Sequence, residues 1–163
     1  MLQIRAARHA DLGRITEIRN DVILHTAATF DTEPRTASEQ EAWFNAHGER
    51  FAILVAELDG EIVGWGSLSK WSDRCAYAET AVISLYVDAE HRGKGIGTEV
   101  LETLLRTACR NGFHTVISRI AGENAASIHM HEKLGFRHIG VMQEVARKLG
   151  KLLDLCLMQK ILP

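Results

Sequence analysis

Cysteine is scarce in this chain of 163 residues: Cys75, Cys109 and Cys156 are odd in number, far apart and without a C-x-x-C pair. That excludes a disulfide framework or a zinc knuckle, both of which need cysteines paired or at short spacing. Proline is scarcer still, with Pro34 and Pro163 alone, and no Pro/Gly/Ser-rich tract or internal repeat divides the sequence. With 46% hydrophobic residues, one domain over residues 1–163 is the expectation. Positive charge is not in excess, because 19 Lys and Arg face 21 Asp and Glu for a net charge of -2. Nucleic acid, whose phosphates demand a basic surface, is not an expected partner. No apolar run is long enough for a signal peptide or a bilayer span, so a soluble cytoplasmic protein without a membrane partner is expected.

What is present switches between two hydrophobic periods. Leu2 to Ala6 reads as a strand, and Leu12, Ile15, Ile18, Val22 and Ile23, spaced by threes and fours, form one apolar helical face. Thr36-Ala37-Ser38-Glu39 is a capping box that opens a second helix from Ala37 to His47. Phe51 to Leu58 and Glu61 to Leu68 are strand-like runs joined by Asp59-Gly60, a dipeptide suited to a tight hairpin turn. Ala78 to Val87, rich in β-branched residues, predicts a central strand. The helix that follows carries Ile96, Val100, Leu101, Leu104, Leu105 and Ala108 on one face, and Gly112 stops it. A strand over Phe113 to Ile120, a short helix from Asn124 to Leu134 closed by Gly135, and strands over Phe136 to Met142 and Leu152 to Ile161 complete the chain. The order βααβββαβαββ predicts an α/β or α+β fold, with a sheet of about seven strands and helices on both faces.

Chemistry concentrates where strand meets helix. Val87-Asp88-Ala89-Glu90-His91-Arg92-Gly93-Lys94-Gly95-Ile96-Gly97-Thr98 runs from a strand end through a polar turn and three alternate glycines into a helix. Residues without Cβ let backbone amides converge on an anion, and the helix start adds unpaired amides and the positive end of its dipole. A flexible turn alone would also use glycines, but the strand before and the helix after favour a diphosphate cradle. A P-loop needs G-x-x-x-x-G-K-[ST] and a dinucleotide fold needs G-x-G-x-x-G, and neither is present.

Arg92-Gly93-Lys94-Gly95-Ile96-Gly97 resembles the Q/R-x-x-G-x-G/A signature of the GNAT acetyltransferase superfamily. Asn124-Ala125-Ala126-Ser127 through His131-Glu132-Lys133-Leu134-Gly135-Phe136 is similar to that superfamily's N-x-x-A/S…Y-E-K-L-G-F stretch. Thr29 to Pro34, Tyr86-Val87 and Met130-His131-Glu132 further resemble the phosphinothricin and methionine sulfoximine N-acetyltransferases, with Lys70-Trp71 and Leu153-Asp154 in looser form.

The resemblance implies a mixed, mainly antiparallel sheet and acetyl-CoA as co-substrate, with no metal. It implies transfer of acetyl to the primary amine of a small amino acid or analogue, by direct attack in a ternary complex. Main-chain groups of Leu85, Tyr86 and Val87 would pair with the pantetheine arm and hold the thioester carbonyl, and Arg92 to Thr98 would hold the phosphates. Asn124 would reach the pantetheine amides, or serve as a helix N-cap. His131 stands where the superfamily often has a tyrosine that protonates the departing thiolate, and imidazole can do the same near pH 7. The phosphinothricin group uses a strand glutamate to deprotonate the amine, at the position of Val82 here. Glu79 replaces it only if a bulge corrects the strand register, because three residues reverse the face; otherwise a water or His131 takes the proton. Phe30, Trp71, Arg74 and Tyr77 are candidates for the acceptor site, Arg74 through its planar fork to a carboxylate. A protein N-terminus, another amine, or a non-catalytic acyl-CoA-binding role remain the alternatives, and relatives of this kind are commonly homodimers.

Overall fold

A computed structural model describes residues 1–163. Strand β1 (Leu2–Ala6) leads into helices α1 (Leu12–His25) and α2 (Ala37–Ala46), then strands β2 (Ile53–Leu58), β3 (Glu61–Lys70) and β4 (Thr80–Val87). Helix α3 (Ile96–Arg110), strand β5 (Thr115–Ala121), helix α4 (Ala125–Lys133) and strands β6 (Arg137–Lys148) and β7 (Lys151–Ile161) follow, in the order the hydrophobic periods predict. Local chemistry sets several boundaries. The Thr36 hydroxyl accepts from the Glu39 amide at 3.2 Å while the Glu39 carboxylate accepts from the Thr36 amide at 2.8 Å, which closes the expected capping box. Asp59 and Gly60 both take positive φ, 50° and 90°, as a two-residue hairpin of the right twist requires.

Several boundaries move by one or two residues from the sequence reading, and two differences have a clear local cause. Strand β4 begins at Thr80 rather than Ala78, because Cys75–Tyr77 coil into a 3-10 turn just before it. Strand β6 continues six residues past Met142 to Lys148. Its register shifts between His138 and Gly140 and again between Met142 and Ala146, and Glu144 sits at φ 52°, so side-chain alternation is lost there although pairing resumes.

The strands form one sheet in the order β1-β2-β3-β4-β5-β7-β6. Every neighbouring pair is antiparallel except β4 and β5. Both faces are covered: Leu54, Val63, Ile83 and Val116 pack under α3 through Val100, Leu101 and Leu104, while Val55, Ile62 and Trp65 pack under Ile15 and Ile18 of α1. Burial on both faces is why β2 reads as a continuous apolar run rather than an alternation.

The irregularity that matters most is in the middle. Strand β4 pairs with β3 all the way to Val87, yet its pairing with β5 covers only Thr80 to Ile83 against Thr115 to Ser118. Beyond Ile83 the two strands diverge. Peptide groups of Ser84 to Val87 that face β5 are left without a strand partner, in a wedge that opens towards the start of α3.

Candidate active site

Three adjoining cavities run through this wedge. The largest, about 540 Å³, lies between the C-terminal end of α1, the end of β4, the glycine loop and the start of α4. A gap of about 70 Å³ lies between Ser84, Leu85 and Tyr86 on β4 and Ser118, Arg119 and Ile120 on β5. The third, about 370 Å³, is walled by Thr29, Phe30, Asp31, Val82, Ser84 and Arg119. The gap shares Leu85, Asn124 and Ser127 with the first cavity and Ser84 and Arg119 with the third, so it connects them.

The largest cavity is built for an anion at one end. Gly95, with φ 82°, is the N-cap of α3, and no side chain caps the helix. The first α3 hydrogen bond runs from the Glu99 amide to the Gly95 carbonyl at 3.2 Å, so the amides of Ile96, Gly97 and Thr98 have no acceptor four residues back. They line the cavity together with Arg92, Gly93 and Gly95. The root of the loop is fixed by Asp88, which accepts from His91 Nδ1 at 2.9 Å and pairs with Arg14 of α1 at 3.0 Å. Burial pushes the Asp88 carboxyl up, but His91 and Arg14 outweigh it and hold the group below the usual carboxylate range. Arg92 Nε donates to the Val87 carbonyl at 3.1 Å, which ties its stem to the strand end. Lys94 is exposed and lies outside the cavity wall.

Asn124 caps α4: its side-chain oxygen accepts from the Ser127 amide at 3.2 Å, while its amide nitrogen has no protein partner and borders both the cavity and the gap. His131, 3% exposed, lines the gap. Its Nδ1 lies 2.8 Å from the Ser127 carbonyl, an acceptor only, so Nδ1 carries the hydrogen and Nε2 is left as the working nitrogen. Burial lowers the ring's pKa from 6.5, with the Ser127 bond acting weakly the other way.

These features converge with the family comparison, in which the profile of the acetyltransferase (GNAT) family matches residues 16–136. The chain belongs to the GNAT acetyltransferase family. It is 38% identical over 158 residues to the L-methionine sulfoximine/L-methionine sulfone acetyltransferase of Pseudomonas paraeruginosa, covering 96% of this chain and 92% of that protein. It is 36% identical over 159 residues to the L-amino acid N-acyltransferase of Escherichia coli K12, covering 97% and 92%. The crystal structure of a phosphinothricin acetyltransferase from Sinorhizobium meliloti in complex with acetyl-CoA superposes with a TM-score of 0.96 at 34% identity, covering 99% of this chain and 88% of that one.

On the acceptor side of this GNAT chain the candidate residues separate. Phe30 lines the third cavity. Trp71 is half-buried and stacks on Arg119, whose guanidinium carbon lies 5.0 Å from its ring centroid. Arg74 and Tyr77 stand on the exposed turn before β4 and line none of the three cavities. Glu79 is exposed, one residue before β4, and the β3–β4 register runs from Ala81 to Val87 without a shift. The bulge that Glu79 would need is therefore absent. Val82 does line the third cavity, where Asp31 is the sole carboxylate.

Sequence reasoning missed Arg119, and a signal for it existed: a lone charge between Ser118 and Ile120 in an otherwise apolar strand. It also missed the residues that hold the third cavity's wall. Asn20 clasps Arg35 through both backbone groups at 2.8 and 3.1 Å, and Lys148, 6% exposed, donates to the Thr29 carbonyl at 2.7 Å. These contacts fix the loop between α1 and α2 at two points.

Proposed function

We propose that this acetyltransferase moves the acetyl group of acetyl-CoA to the primary amine of a small amino acid or amino-acid analogue, by direct attack within a ternary complex. The observation that carries the reading is the wedge between β4 and β5, which joins a coenzyme-sized cavity on one side to an amino-acid-sized cavity on the other. Relatives that act on L-amino acids and L-methionine sulfone support the acceptor class over a protein N-terminus.

Acetyl-CoA supplies an acyl group activated as a thioester. The free amides of Ile96, Gly97 and Thr98, with Gly93, Gly95 and Arg92 beside them, bind its diphosphate; Lys94 adds charge from the loop's exterior. Main-chain groups of Leu85 and Val87 that face the wedge hold the pantetheine arm and aim donors at the oxygen on which charge develops, while the main chain of Tyr86 is turned to Trp65 of β3. Asn124 offers its side-chain NH₂ to the same arm. His131 is neutral near pH 7, so Nε2 first accepts the proton released by the attacking ammonium, directly or through a water, and then returns it to the departing thiolate. Burial suits this double role because the imidazolium is the less stable form and gives its proton up readily. Phe30 walls the acceptor cavity, and Trp71, outside the three linings, borders it through its stack on Arg119. Arg74 and Tyr77, on the neighbouring exposed turn, would contribute only if that turn closed over a bound amine.

The test is a thiol-release assay with acetyl-CoA and a panel of L-amino acids, L-methionine sulfone, phosphinothricin and N-terminal peptides. Turnover with amino-acid amines is expected. Turnover with peptides alone, or none despite measured acetyl-CoA binding, would overturn the reading in favour of an N-terminal acetyltransferase or a binding module.

Residues 1–163 act as one domain in this reading, with both ends of the chain in the same sheet. A homodimer is supported by edge strand β6, which exposes Ile139, Val141, Met142 and Val145 on an unpaired border. Light scattering that gives the mass of a monomer would remove it. The exposed free thiols Cys75 and Cys109 favour a reducing cytoplasm, and no helix is long and apolar enough to cross a membrane.

A further inference from the structure

The acceptor cavity carries one cation without a counter-charge. Arg119 is exposed between buried Ser118 and Ile120 and lines the cavity, and its guanidinium makes no hydrogen bond or ion pair within the protein. The cavity's carboxylate is turned to other cations: Asp31 Oδ2 lies 3.4 Å from Arg35 and 3.7 Å from Arg19, and it makes no ion pair with Arg119. Val82, beneath the same space, is apolar. The guanidinium lies over the Trp71 ring with its N–H groups unpaired by protein, and such a fork can offer two parallel donors to a planar or tetrahedral acid.

Strand register locates this edge along the cavity. Arg119 follows Ser118, the last β5 residue paired with β4, and so stands level with Ser84. Trp71 follows Lys70, whose partner is Ala81. The stack therefore draws the guanidinium back along β4 towards Val82, three to five residues or roughly 10–17 Å from Leu85 to Val87, where the thioester is held in the proposed mechanism. An anion bound there is several bonds away from an amine that reaches the thioester, at the side-chain end of an amino acid rather than its α-carboxylate.

We infer that Arg119, stacked on Trp71, is a specificity-determining residue that binds an acidic group on the acceptor's side chain, so that this enzyme favours amino acids with anionic side chains over neutral ones of the same shape. The inference rests on the amino-acid reading above. Phosphinothricin and L-methionine sulfone are suitable probes: both are α-amino acids ending in a methylated tetrahedral centre, a phosphinate in one and a sulfone in the other, so they match in shape and differ by one negative charge. Their ratio of kcat/KM should favour phosphinothricin by about 10- to 100-fold, the worth of one charge-assisted contact. Arg119→Gln should bring that ratio close to one, mainly by raising KM for phosphinothricin, while Arg119→Lys keeps part of the preference. Trp71→Leu should weaken it by freeing the guanidinium. The ratio compares two substrates on one protein, so partial unfolding of a variant cancels. A wild-type ratio near one, or an equal loss on both substrates in Arg119→Gln, would overturn the assignment while leaving the amino-acid reading intact. Failure of the wild type to acetylate either amine would overturn the amino-acid reading itself.

Discussion

Replacing Gly95 by valine tests the anion cradle, because the structure separates two effects of that change. A Cβ at Gly95 would meet no protein atom within 4 Å, so crowding within the protein is not the cost. The cost is conformational: φ is 82°, a left-handed geometry that costs an L-residue roughly 1–2 kcal/mol, and a β-branched one at the upper end. For a chain of this length that is a fall in Tm of about 2–8 °C. If the backbone relaxes instead, φ turns negative and the amides of Ile96, Gly97 and Thr98 no longer converge. Losing two amide contacts to a diphosphate, at roughly 1.5–3 kcal/mol each, weakens acetyl-CoA binding by about 100-fold or more. Calorimetric titration with acetyl-CoA, beside a thermal melt, reads both. Gly13→Ala is the control, since it lies in α1 with open space around its Cβ and no positive φ, and should leave acetyl-CoA affinity at the wild-type value with Tm unchanged or up to about 4 °C higher. A Gly95→Val protein that melts a few degrees low yet binds acetyl-CoA with unchanged affinity would refute the cradle.

His131→Phe should lower turnover by about 100-fold or more with a small effect on KM, and should remove an acidic limb that wild-type kcat shows below about pH 6.5; wild-type turnover across pH would take His131 out of the chemistry. The same residue predicts a stability effect. Its folded pKa lies below its ordinary 6.5, so the unfolded chain binds more protons, and its contribution is fully present above pH 6.5 and lost as pH falls towards the folded value. Urea midpoints of wild type and His131→Phe should therefore converge as pH drops from 7 to 5, and a constant gap would contradict the burial argument. Gly66→Ala should destabilise by about 1–3 kcal/mol, because its Cβ would come within 2.7 Å of Leu104 Cδ1 and 2.9 Å of Val100 Cγ1 where α3 lies on β3; an unchanged Tm would show that α3 can shift at no cost.

The sequence by itself determined the elements and the glycine loop, because both are written in near neighbours. Helical spacing from Leu12 to Ile23, the Thr36–Glu39 box, the Asp59-Gly60 turn and the alternate glycines before Ile96 each act within one or two turns of chain, and all stand in the structure where expected. Where local pattern was broken, as at Glu144 in β6, the boundary moved. The acceptor side was not legible in this way. Arg74, nominated for its planar fork, stands on an exposed turn, whereas Arg119, which follows it by 45 positions in sequence, stacks on Trp71 and shares a cavity with Phe30. Only strand order could bring these together: β5 lies next to β4 because α3 carries the chain across the sheet, and the divergence of the two strands after Ile83 opens the space into which Arg119 reaches. Pairing between distant strands follows from which faces they bury together, and that is a property of the packed sheet rather than of any segment within it.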